Sequence, residues 1–190
     1  MFVIDRYTRP QMRQVWSEEH KYDKWLLVEL AACEAWTEEG TIPQEDMECL
    51  RDATYNIDRL YETLELTRHD MTAFLRSITE SIGPEGRWLH LGLTTSDVWD
   101  TATSLLLVEA ASLLDKEIVN LMQALRDRAT EHKNTLMMGR THGIHAEPIT
   151  FGLKLAVWWD EMKRNRDRLA EASKIMAVGK LSGPVGSHAT

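Results

Sequence analysis

Two apolar seams at heptad spacing constrain this chain more than any other feature. The first runs Leu107, Ala111, Leu114, Ile118, Leu121, Leu125; the second runs Phe151, Leu155, Trp158, Met162, Asn165, Leu169, Ala172, Met176. Steps of four and three keep each set on one stripe of an α-helix, and so long a stripe belongs to a rod packed along another rod. The spacing predicts one helix over Thr101–His132, about 48 Å long at ~1.5 Å per residue, and a second over Phe151–Met176. Such rods pack near-antiparallel in a bundle. Together they carry more apolar surface than 190 residues readily cover, and adjacent Trp158 and Trp159 put aromatic rings on two faces of one helix. Partner helices from another subunit, or from further chain, are expected. Asn165 fits either a register-setting polar group or a solvated gap in the seam.

The preceding half is helical too. Over Met12–Glu39 apolar residues fall on two adjacent stripes, Tyr22, Leu26, Leu30, Cys33 and Trp25, Val28, Ala32, Trp36. A helix apolar over so wide an arc is buried on most sides. Gly40 and Pro43 end it. Short helices are expected around residues 44–54 and 58–66, then another marked by Met71, Phe74, Ile78 and Ile82 and closed by "GP" at 83–84. Residues 85–97, "EGRWLHLGLTTSD", and the stretch between the rods read as loops, and the chain ends in aperiodic, glycine-rich "VGKLSGPVGSHAT". No strand alternation of useful length appears. The expected fold is all-α: a small N-terminal helical domain over residues 1–100, then the first long helices of a central helical bundle over 101–190.

Charge narrows the function. A formal net charge of −8 argues against a general nucleic-acid binder and against an anionic-membrane binder, but a few local arginines can still hold a small anion. No apolar run reaches the length of a membrane span. The opening "MFVIDRYTRP" has no signal-peptide core. Cys33 and Cys49 sit inside helical patterns and read as reduced core thiols. A cytoplasmic protein is expected.

Three polar clusters interrupt the helices: "RHD" at 68–70, "LTTSD" at 93–97 and "GRTHG" at 139–143. Arg68, His69 and Asp70 in isolation read as an Asp70 N-cap with two exposed neighbours. The alternative is an anion site in which Asp70 orients His69. Thr94, Thr95 and Ser96 give three hydroxyls where a helix cap needs one. The surplus suits a carboxylate or phosphate held at a helix N-terminus. In "GRTHGIHAEP" the two histidines, His142 and His145, lack the spacing of a helical zinc motif and have no nearby cysteine. His142, between Thr141 and Gly143, is the better placed acid or base, because glycine lets a ligand approach the backbone closely.

Taken in order, "RYTRPQM", "RHDMTAF", "RWLHLGLTTSDVWDT", "GRTHGIHAEPITFGLK" and "VGKLSGPVG" resemble the N-terminal part of the adenylosuccinate lyase family, within the fumarase and aspartase superfamily. The resemblance covers essentially the whole chain. It implies a lyase of purine biosynthesis that eliminates fumarate from adenylosuccinate to leave AMP, and from the related succinyl imidazole-carboxamide nucleotide, with no metal or organic cofactor. It implies a homotetramer whose sites take loops from several subunits. By the same resemblance Arg6 and Tyr7 bind the phosphate end of the nucleotide. Arg68, His69 and Asp70 form another part of the pocket, with His69 supporting catalysis or phosphate binding. Thr94 and Thr95 hold a carboxylate of the succinyl group, and His142 is the general acid. His90 lines the site less definitely, while Lys180 and Ser182 receive no role. Thr95 replaces a serine common in the family but keeps the hydroxyl. The family's serine-bearing mobile loop, which carries the base, has no match in these residues, so a fragment inactive on its own is expected. Two alternatives stand beside this: another fumarate-releasing lyase of the superfamily, or a non-catalytic helical interaction module.

Overall fold

The computed structural model describes residues 5–188. It is mainly helical, as the periodicity predicts. A short 3-10 turn, Asp5–Tyr7, precedes α1 (Pro10–Val15), α2 (Glu18–Glu38), α3 (Gln44–Arg51), α4 (Ile57–Thr67) and α5 (Asp70–Ile82). A 3-10 segment, Gly83–Trp88, leads to the long α6 (Thr95–Glu131). Strands β1 (Leu136–Thr141) and β2 (Ile144–Thr150) separate α6 from α7 (Phe151–Met176). Among the described residues no helix is long and apolar enough to cross a membrane. Contacts divide the chain into two units, one of residues up to Leu106 together with those from Ala177 on, the other Leu107–Met176.

The first unit is built around α2. The helix expected from Met12 is broken at Ser17, whose hydroxyl accepts the His20 N–H at 3.2 Å. Glu18 and Glu19 follow in the first turn, where carboxylates offset the helix dipole. Its buried stripe is Tyr22, Trp25, Glu29 and Cys33, narrower than two full apolar stripes. Tyr22 stacks on Phe74 of α5 at 5.6 Å between centroids, and Trp25 meets both rings edge-on, at 5.2 and 5.4 Å. Met47, Leu50, Leu60, Met71, Ile78, Val98 and Ala102 complete the core. Each large apolar side chain sealed there contributes roughly 1.5–3 kcal/mol. Of the two cysteines, Cys33 is buried in this core but Cys49 is exposed, and both are free thiols. Position 49 lies beside the inward Met47 and Leu50 on α3 and turns away from them.

The second unit is the pair of rods with the hairpin between them. Asp115 of α6 bonds Arg166 of α7 through both carboxylate oxygens, at 2.6 and 3.2 Å. Nearer the hairpin the Gly152 N–H donates to the His132 carbonyl at 3.0 Å and the Phe151 N–H to Thr135 at 2.8 Å. Partners that rise along one helix and fall along the other make the rods antiparallel, as expected. Two details differ from expectation. The helix α6 begins at Thr95, six residues before Thr101, because Asp97 caps its start as described below. The stretch between the rods, expected as a loop, is an antiparallel β-ladder pairing Leu136 with Thr150 through Thr141 with Ile144, with a bulge between Met138 and Arg140. The seams are also only partly covered. Leu125 and Leu155 are buried, whereas Leu114, Leu121 and Trp158 are exposed and Trp159 is half-buried.

Candidate active site

At the start of α6 the side chain of Asp97 reaches back to accept the Thr94 N–H at 2.9 Å, one half of a capping box. The cap is thus made by a carboxylate, not by the threonine hydroxyls. Among the described residues the Thr94 and Thr95 hydroxyls bond to no other side chain. Both residues are half-buried. Two hydroxyl donors at a helix N-terminus suit a carboxylate ligand.

Asp97 is itself held from the far end of the chain. Its Oδ1 accepts the Lys180 ammonium at 2.6 Å and the Ser182 N–H at 3.0 Å. Lys180 Nζ also donates to Ser96 Oγ at 2.7 Å and to the Gly183 carbonyl at 2.9 Å. Asp97 is only 1% exposed. Burial pushes its carboxyl up, but the bonds from Lys180, Ser182 and Thr94 outweigh that and hold it at about 2. This cluster was not legible in sequence, where 83 residues separate Asp97 from Lys180.

The 68–70 segment turns sharply. Arg68 takes a left-handed backbone, φ 54°, at the end of α4 and pairs with Glu65 at 2.9 Å. The N-cap of α5 is His69, one residue earlier than the Asp70 cap expected. Its Nδ1 accepts the Thr72 N–H at 3.2 Å, which leaves the ring proton on Nε2. Asp70 accepts the Met71 N–H at 2.8 Å rather than orienting the His69 ring. Asp70 also lines a cleft of about 900 Å³ with Thr8, Met12, Arg13, Lys21 and Asp100. Lys21, not picked out in sequence, lies with Nζ 4.1 Å from the Tyr22 ring centroid. Burial draws its amine below the usual lysine range, against Glu18 and Asp70, which work to raise it. Arg6 and Tyr7 are exposed and contact each other at 3.4 Å. They immediately precede Thr8, but of Arg6, Tyr7, Arg68, His69 and Asp70 only Asp70 lines the cleft. Thr94 and Thr95 do not line it.

His90 belongs to a separate polar pair. Its Nδ1 lies 2.6 Å from Oε1 of Glu29, and its backbone N–H donates to Oε2 at 2.8 Å. Glu29 is fully buried, and His90 holds a left-handed backbone with φ 65°. The two carboxylate bonds offset that strain and fix the ring. Glu29 was missed in sequence. The signal was a single acid on an otherwise apolar stripe. Burial, aided by Glu29, also pushes the Cys33 thiol up to about 12, so it stays protonated.

His142 stands in the second unit, at the hairpin tip. It and Gly143 have φ 51° and 76° and join the paired Thr141 and Ile144. Two successive positive φ values make a type I′ turn. Gly143 is therefore required by the turn, and nothing lies within 4 Å of where its Cβ would stand. The ring of His142 is carried on an exposed turn. His145, also exposed, is a strand residue opposite Arg140.

Residues 5–189 match a family model described as lyase. The chain is 50% identical, over 98% of its length, to the adenylosuccinate lyases of Bacillus subtilis strain 168 and Streptococcus mutans, and 47% identical to that of Aquifex aeolicus. It spans 44% of the length of each of these relatives. Among solved structures, a fumarate lyase from Mesorhizobium sp. BNC1 superposes with a TM-score of 0.90 at 30% identity, over 99% of this chain and 46% of that one. A 3-carboxy-cis,cis-muconate lactonizing enzyme from Pseudomonas putida gives 0.88 at 28%, over 96% and 44%.

Proposed function

The chain belongs to the lyase family whose model spans its residues 5–189, and from that premise we propose that it is the N-terminal portion of an adenylosuccinate lyase. The reaction is an elimination. A base removes a proton from the carbon beside a carboxylate, and that electron pair forms the double bond of fumarate. The C–N bond breaks, and an acid protonates the departing nitrogen to leave AMP. Three demands follow: donors for the carboxylates, an acid for the nitrogen, and a cationic site for the phosphate.

These residues supply candidates for each. Thr94 and Thr95 hold a succinyl carboxylate at the start of α6. His142 is the acid. Arg6, Tyr7, Arg68, His69 and Asp70 form the nucleotide end, with His69 assisting catalysis. The base comes from chain outside these residues, so residues 1–190 alone are inactive. Complete sites form in a homotetramer in the cytoplasm, its subunits joined through the exposed seam residues Leu114, Leu121 and Trp158. No metal or organic cofactor takes part. The succinyl imidazole-carboxamide nucleotide is a second substrate by the same chemistry.

The observation that supports the acid assignment best is the placement of His142, beside Gly143, on the exposed two-residue turn. An imidazole there can enter a partner's cavity while the ladder fixes its base. In the complete protein His142→Gln is expected to lower kcat by roughly 10²–10⁴-fold with a smaller change in KM, the size of a lost general acid. His145→Gln costs far less. Steady-state kinetics of both variants across pH, with circular dichroism to check folding, decides this. A normal kcat for His142→Gln beside a collapsed one for His145→Gln reverses the assignment.

A further inference from the structure

The segment "GKLSG" at 179–183 has no part in the proposed reaction, yet its polar groups are held tightly against the start of α6. Lys180 Nζ donates to Asp97 Oδ1, Ser96 Oγ and the Gly183 carbonyl, at 2.6, 2.7 and 2.9 Å. An ammonium has three hydrogens, and these three bonds use them all. Lys180 therefore has no donor left for a substrate. Its backbone is pinned as well: its N–H donates to Thr101 Oγ1 at 2.9 Å, and that hydroxyl donates to its carbonyl at 3.1 Å. The segment thus grips the first two turns of α6 from Ser96 to Thr101.

Electrostatics gives the grip a purpose. Asp97 is a buried anion within three residues of Thr94 and Thr95. Unpaired, it would repel any carboxylate brought to those hydroxyls and would cancel the helix N-terminus as an anion site. Paired with Lys180 at 2.6 Å, it is neutralised and still holds the Thr94 amide.

We propose that Lys180 is a positioning residue for substrate: by neutralising Asp97 and tying Ser96, it keeps the start of α6 receptive to the succinyl carboxylate. The proposal rests on Thr94 and Thr95 binding that carboxylate. Its signature is selective. Fumarate carries the carboxylates and AMP does not, so only the fumarate end depends on Lys180.

The test is product inhibition of the complete, active protein. Lys180→Met is expected to weaken inhibition by fumarate about tenfold, and to raise KM for adenylosuccinate similarly, while inhibition by AMP moves less than about twofold. Thr101→Val loosens the Lys180 backbone without stranding a charge. It gives the same selective loss at smaller size, and keeps the test readable if Lys180→Met fails to fold. Equal changes for fumarate and AMP, or none for either, overturn the proposal, because a merely structural lysine has no reason to distinguish them. Thr95→Val separates the two ways of failing. If it weakens fumarate while the Lys180 and Thr101 variants show no selectivity, the positioning role is wrong. If it leaves fumarate binding unchanged, the carboxylate assignment is wrong and the proposal falls with it.

Discussion

Asp97 has an effect on stability that can be measured apart from activity. Its carboxyl sits at about 2, below the usual 3.8. A folded-state pKa below the unfolded one means the unfolded chain binds the extra proton first as pH falls. The pair's stabilisation is therefore full above about pH 4 and disappears as pH drops through about 2. Denaturant titrations from about pH 5 to about pH 2.5 should show midpoints falling with acid, and Asp97→Asn should flatten that slope. An unchanged slope would mean that other carboxylates carry the acid sensitivity. At this scale the sequence discloses residue types better than partners. The hydroxyls of Thr94 and Thr95 and the ring of His142 stand out because they exceed what a cap or turn needs. Asp97 and Glu29 do not, because a carboxylate reads as solvated until a lysine or histidine from a distant segment is brought against it.

The elements were legible where periodicity is long. Both rods follow from their seams, and α2 to α5 from shorter apolar repeats bounded by Gly40, Pro43 and the 83–84 "GP". Breaks that depend on one hydrogen bond were not, as Ser17 and Asp97 show. The hairpin escaped for a different reason. Its turn is His-Gly rather than the usual Asn-Gly, and its strands carry polar residues on both faces. One glycine there governs how the elements join. A Cβ on Gly152 would stand 2.5 Å from the Ala129 carbonyl oxygen and 2.7 Å from Lys133 Cα, both backbone atoms. The end of α6 and the start of α7 touch through that gap. Gly152→Ala is expected to destabilise the protein by about 1–3 kcal/mol, as overpacking generally does, seen as a lower Tm. A Tm within error of the parent would show that the rods can part there without cost.

For the molecule as a whole, exposed Leu114, Leu121 and Trp158 show that the seams predicted from sequence are only partly covered by the described residues. Heptad spacing reports that a stripe is apolar, not which neighbour covers it. The same holds for the site. His142 stands in one contact unit and Arg6, Tyr7, Arg68, His69, Asp70, Thr94 and Thr95 in the other, a division that no spacing of motifs along the chain reports. The central proposal is nevertheless chemical and has a direct test: incubate the complete purified protein separately with adenylosuccinate and argininosuccinate, and quantify both products of each. Equimolar fumarate and AMP from adenylosuccinate, with no fumarate from argininosuccinate, is the expected result. Fumarate from argininosuccinate alone, or from neither, would contradict it.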